Sequence, residues 1–144
     1  MRVAFLAHLP PWPATSGGQQ KSIQTLEALC RSAAVDIYTL ARSERDEQQL
    51  QEPPPDWFNG TLKVFRIGRG PVQDVIAWLR SRYLVTPWFV ERDRSTALRD
   101  AVSDAHASRP YDVIWVDHLQ MWGSASVDGV PMVLDAHNIE QDLL

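Results

Sequence analysis

Five apolar residues in a row, Val3 to Ala7, open the chain between Arg2 and His8 without any polar alternation. A run of this kind suits a strand covered on both faces in a parallel sheet better than a half-solvated edge. It predicts a strand over Arg2–Leu9, which Pro10, Pro11 and Pro13 must end because proline can continue neither a ladder nor a helix. From Gln19 onward the period changes: Ile23, Leu26, Leu29 and Cys30 recur at helical spacing and mark one buried face. The opening unit is therefore strand, loop, helix.

The same alternation of periods continues. Ala34–Ala41 predicts a second strand, and Ser43–Asn59, polar and carrying Pro53, Pro54 and Pro55, predicts a surface connection. Thr61–Ile67 alternates polar and apolar, as a half-exposed strand near an edge does, and Gly68 and Gly70 close it. Pro71 opens a helical stretch in which Val72, Val75, Ile76, Leu79 and Tyr83 line one side, expected to pack inward with a solvated basic face opposite, and Pro87 ends it. A further helix is expected over Arg94–Ala107 with Leu98, Ala101, Val102 and Ala105 inside. Tyr111–Asp117 and Val130–Asp135 complete the strands.

Strands alternating with helices imply an α/β fold, a Rossmann-like, doubly wound parallel sheet in three layers. The 144 residues suit a single domain with a core of its own. In such sheets ligands bind outside the carboxyl ends of the strands. That rule gathers His8–Gly18, Asp117–Trp122 and Asp135–Glu140 along one crevice.

Composition narrows the function. A net charge of -4 argues against general nucleic-acid binding. The single cysteine, Cys30, cannot form an internal disulfide and reads as a small hydrophobe on the helix face. No secretory leader and no stretch of membrane-spanning length is legible, so a cytoplasmic location is expected. Charge is uneven: nine of the 14 basic residues but only five of the 18 acidic ones fall between positions 63 and 109. There Trp78, Arg80, Arg82, Tyr83 and Trp88 mix aromatic and basic groups, a pattern also compatible with peripheral contact at the inner face of a membrane.

The candidate chemistry lies in the loops. Ser16-Gly17-Gly18 either caps the helix and makes the turn, or lets the backbone come close to an anion at the helix N-terminus. The spacing of a dinucleotide fingerprint is missing, as is a Walker lysine, so nicotinamide and P-loop chemistry are not expected. His118 and His137 each follow a predicted strand end, where an imidazole can hold a sugar hydroxyl or a phosphate oxygen, or a loop carbonyl. Asp117, His118, Asp135 and His137 match no standard metal-ligand spacing, and no metal is expected.

Taken together, Val3-Ala-Phe-Leu-Ala-His-Leu-Pro-Pro11 with Gly17-Gly18, Tyr111-Asp-Val-Ile-Trp-Val-Asp-His118 and Val133-Leu-Asp-Ala-His-Asn-Ile-Glu140 resemble the N-terminal domain of GT-B glycosyltransferases. The nearest group is the retaining, family-four-like one that includes sucrose synthases and bacterial mannosyltransferases. The resemblance covers nearly the whole chain. It implies an acceptor-side domain of an enzyme that transfers sugar from a nucleotide-diphosphate sugar to a cell-envelope or other glycoconjugate acceptor, glycan or lipid-linked, with no metal cofactor. By the resemblance, Gly17 and Gly18 approach the donor diphosphate and the acceptor. His137 contacts the transferred sugar as the catalytic residue, and Asp117, His118, Asn138 and Glu140 face the acceptor. The nucleotide-sugar-binding C-terminal domain is absent from this chain, so residues 1–144 are expected to be inactive alone. A non-catalytic α/β module that binds a ligand or protein, and a fragment of a GT-B sugar-nucleotide epimerase, are the alternative readings.

Overall fold

The computed structural model describes residues 1–68 and 70–136. His137, Asn138 and Glu140 lie outside the described residues. Five strands, β1 (Arg2–Ala7), β2 (Ala34–Ala41), β3 (Leu62–Arg66), β4 (Val113–Val116) and β5 (Met132–Leu134), form one sheet in the order β3-β2-β1-β4-β5. Every pairing is parallel. β1 lies in the middle, which explains its unbroken apolar run. Ala4 and Leu6 face one layer with Tyr38, Leu40, Leu98, Val102 and Ile114, while Val3, Phe5 and Ala7 face the other with Leu26, Val35 and Ile37.

Helix α1 (Gly17–Cys30) covers the second of these faces through Leu26, with Ile23 and Leu29 beside it. Ser16 caps it by accepting from the Gln19 amide at 3.3 Å. The half-buried Cys30 thiol on this face is a free cysteine whose pKa burial pushes up. Helix α5 (Thr96–Ser108) covers the opposite face with Leu98 and Val102. Its Ser95 cap, and not Arg94, marks its start, because the Ser95 hydroxyl accepts from Leu98 N at 3.2 Å.

Two elements go beyond the sequence reading. Within the polar connection, α2 (Glu44–Gln49) is a short helix capped by Ser43, with Glu44, Asp46 and Glu47 in its first turn where the helix dipole favours carboxylates. After Pro87, α4 (Trp88–Arg92) adds one turn that buries Val90 and Glu91.

Helix α3 (Pro71–Leu84) forms as expected but turns the other way. Val72, Val75, Ile76, Leu79 and Tyr83 are exposed, Tyr83 to 87%, and the residues buried against the body are the small Ala77 and Ser81. Periodicity locates an apolar stripe; it does not say what covers it. α3 ends on Val85 with φ 54°, a left-handed conformation that is strained for a β-branched side chain.

The strand ends opposite the loops of interest are bound by a polar cluster. Arg2 Nη2 donates to Asp36 Oδ2 at 2.5 Å and its guanidinium lies 4.0 Å from the Tyr111 ring centroid. Nearby, Gly60 packs so tightly under β2 that a Cβ there would sit 1.7 Å from the Val35 carbonyl oxygen.

Candidate functional site

The carboxyl ends of β1, β2 and β4 deliver His8, Arg42, Asp117 and His118 to the same rim, because each follows its strand by one or two residues. His8 Nε2 pairs with Asp93 Oδ2 at 2.9 Å, and Arg42 donates from Nη2 to the His8 carbonyl at 2.6 Å. The Arg42 guanidinium also stands 3.7 Å from Asp93. Asp93 comes from the end of α4, so this contact ties the helical insertion to the centre of the sheet. The rings of His8 and His118 are tilted against one another with centroids 5.5 Å apart.

Beside this pair, the second turn of α1 reaches the residue that follows β4. Ser22 donates from Oγ to Asp117 Oδ2 at 2.6 Å and to the Gly18 carbonyl at 3.1 Å. The glycine loop and the end of β4 are thereby joined through one side chain. Lys21, one residue before, reaches Asp135 Oδ1 at 2.6 Å, bringing in the segment after β5. Of the three segments that the sequence gathers at one crevice, the described parts do meet: His8–Gly18 touches Asp117–His118, and Asp135 touches α1.

Asp117 is 2% exposed. It lies under α1 instead of opening onto the crevice as a side chain facing a ligand would. Burial pushes its carboxyl up to about 7; the Ser22 hydrogen bond opposes this, Asp135 adds to it and Lys21 opposes it again. A carboxyl balanced near neutrality at a strand end can hold or release a proton in the physiological range.

The glycine loop is built to stay open. Gln19 accepts at Oε1 from the Thr15 amide at 3.0 Å and from the Thr15 hydroxyl at 2.8 Å, and donates from Nε2 to the Pro10 carbonyl at 2.7 Å. Trp12 anchors the other flank, buried against Trp57 and Phe58, next to a cis Trp12–Pro13 peptide. Between these anchors Gly17 is exposed, and a Cβ added to it would meet no atom within 4 Å. Its backbone N–H belongs to the first turn of α1, which carries no acid, so an anion approaching from the rim meets amide donors and a favourable dipole.

Arg42, Asp93, Ser22 and Lys21 are the rim residues that sequence reading missed. Arg42 stands in a strand-end position like that of His118 and could have been found by the same rule; Asp93 could not, since only the packing of α4 brings it there. Among the described residues, no group of three or more His, Cys, Asp or Glu side chains is placed to hold a metal ion, and no helix is long and apolar enough to cross a membrane. No known protein family, curated protein or solved structure matches this chain.

Proposed function

We propose that this chain is the acceptor-side domain of a retaining glycosyltransferase that takes its sugar from a nucleotide-diphosphate donor, with the nucleotide held by a second α/β domain. The observation that carries this reading is the junction of the glycine loop with the end of β4 through Ser22 and Asp117 at 2.6 Å, beside the His8 and His118 rings. Amide donors for an anion and imidazoles for a sugar hydroxyl then share one rim, as GT-B transfer requires.

In this reading the acceptor hydroxyl attacks the anomeric carbon on the face from which the nucleoside diphosphate departs. The departing phosphate oxygen takes the acceptor proton. The amides at the start of α1 stabilise the negative charge that grows on the leaving group, where preorganised donors act most strongly. His118 orients the acceptor, and by resemblance His137 holds the transferred sugar. Asp117 acts through Ser22, fixing the α1 turn to β4. Nucleotide sugars are cytoplasmic metabolites, which supports a cytoplasmic location with acceptors of the cell envelope.

The test uses the protein encoded by the whole reading frame, incubated with a panel of nucleotide-diphosphate sugars and hydroxyl-bearing lipid and glycan acceptors. Expected are acceptor-dependent release of nucleoside diphosphate and, by NMR, a product anomer that matches the donor. Absence of transfer or donor hydrolysis across the panel overturns the reading, as does an inverted anomer.

A further inference from the structure

Away from the histidine rim, the end of β3 and the helices α3, α4 and α5 border two adjoining open clefts. The first, about 400 Å³, is lined by Arg66, Arg80, Arg92, Arg94, Glu91 and Ser95 among others. The second, about 380 Å³, shares Arg80, Glu91, Arg94 and Thr96 with the first and is otherwise lined by Leu79, Tyr83 and Leu84. One chamber is therefore cationic and polar, its neighbour largely aliphatic and aromatic, with a common wall.

The polar chamber has unused hydrogen-bonding capacity of a definite kind. Glu91 is wholly buried; its Oε1 accepts from Thr86 Oγ1 at 2.9 Å and from Arg94 Nη2 at 2.8 Å, while Oε2 is buried with no partner. The Arg94 Nε is likewise a buried donor without a hydrogen bond, while Arg92 Nε lies 3.3 Å from Asp74 Oδ1. Leaving such groups unmatched is unfavourable, so a ligand that brings an anionic oxygen and a hydroxyl gains by satisfying Arg94 Nε and Glu91 Oε2. Four arginines and one carboxylate line this chamber, and Arg66 is paired with Glu47 outside it. Among the described residues Arg80 has no carboxylate within ion-pair distance, whereas Arg92 and Arg94 share theirs with Asp74 and Glu91.

The apolar chamber opens onto the unburied stripe of α3, where Leu79 is 56% and Leu84 45% exposed. A contiguous apolar surface next to a charged pocket marks a binding site more often than chance exposure does. We propose that the two chambers form one site for an anionic amphiphile: a hydroxylated phosphate headgroup among Arg80, Arg92 and Arg94 with its hydroxyl donating to Glu91 Oε2, and an alkyl chain along Leu79, Tyr83 and Leu84. The site lies apart from the histidine rim where the acceptor hydroxyl reacts, so it goes beyond the acceptor-side reading and does not supply the reacting hydroxyl. Binding to the protein alone tests it, so its failure and a failure of sugar transfer are separate results.

The probe is dihexanoyl phosphatidylglycerol, kept monomeric and titrated calorimetrically. Saturable one-to-one binding is expected. Dihexanoyl phosphatidylcholine, which lacks net charge and hydroxyl groups, should bind at least tenfold more weakly, and glycerol 3-phosphate, which lacks the chain, likewise. Arg80→Gln and Leu84→Ser, both at exposed positions outside the histidine rim, should each weaken the phosphatidylglycerol complex at least tenfold with an unchanged circular dichroism spectrum. Glycerol 3-phosphate binding as tightly as the lipid would make this a small-anion site and overturn the proposal. Equal binding of phosphatidylcholine, indifference to both variants, no binding at all, or attachment to phosphatidylglycerol vesicles without binding of the monomer would overturn it too, the last in favour of docking onto a membrane surface.

Discussion

The Tyr111 hydroxyl donates to Asp36 Oδ2 at 2.8 Å while standing 2.8 Å from the Tyr38 hydroxyl, so one phenol links the strand-end clusters of β2 and β4 across β1. Burial alone would raise the Asp36 pKa, but hydrogen bonds from Thr61, Tyr111 and Arg2 together with the Arg2 charge lower it. The stabilisation is present above the usual carboxylate pKa of about 4 and lost as pH falls through the depressed folded value. Asp36→Asn should therefore remove part of the acid-induced loss of stability, seen as a flatter dependence of the urea midpoint on pH below about 4. Tyr111→Phe should cost about 1–3 kcal/mol near neutrality. Parallel pH curves for wild type and Asp36→Asn would contradict the assignment.

Asp117 has the opposite sign. Its folded pKa of about 7 exceeds the ordinary aspartate value of 3.8, so the folded state binds the proton more tightly. Nothing is lost while both states are protonated, below about pH 4; between there and about 7 stability falls, and above 7 the penalty is complete. Asp117→Asn keeps an acceptor for Ser22 and should become progressively more stable than wild type as pH rises, by an amount on the order of a few kcal/mol, levelling above neutrality. Chemical denaturation across the pH range reads this directly, and a constant difference would refute it.

Two backbone positions make contrasting forecasts. A Cβ on Gly60 would sit 1.7 Å from Val35 O and 2.6 Å from its carbon, backbone atoms held in β2. Gly60→Ala should cost roughly 3 kcal/mol or more, measured as a fall in thermal midpoint. Val85 is 91% exposed and left-handed, so Val85→Gly loses little packing and relieves strain. It should stabilise by about 1 kcal/mol.

At the rim, Gly17→Ala separates fold from function. The added methyl meets open space, so stability should hold or rise by up to about 1 kcal/mol. If a donor diphosphate comes against this turn, sugar transfer by the complete enzyme should drop at least tenfold. His118→Ala and His137→Ala should likewise lose most transfer with folding intact, and wild-type turnover by either would remove that imidazole from the mechanism.

Much of this architecture is legible in the amino-acid order because β1 is buried on both sides and says so in five consecutive apolar residues. The half-alternating Thr61–Ile67 likewise reads correctly as an edge, since β3 ends the sheet. The rim is partly legible: His118 follows from a strand-end rule, while Asp93 arrives only through tertiary packing of a one-turn helix. The inward face of α3 was not legible. Its stripe of Val72, Val75, Ile76, Leu79 and Tyr83 has the periodicity of a core helix, yet Ala77 and Ser81 make the closer approach to the body that small side chains allow.

The strand order β3-β2-β1-β4-β5 sets β1 at the centre although it is made first. Its partnership with β4 joins positions such as Val3 and Val113. On a ribosome adding about 5–20 residues per second, one side of β1 waits on the order of ten seconds for that neighbour. During that interval an apolar ribbon with open hydrogen-bonding groups is offered to other nascent chains, so holdase chaperones acting during synthesis should govern the yield of native protein more than its final stability does.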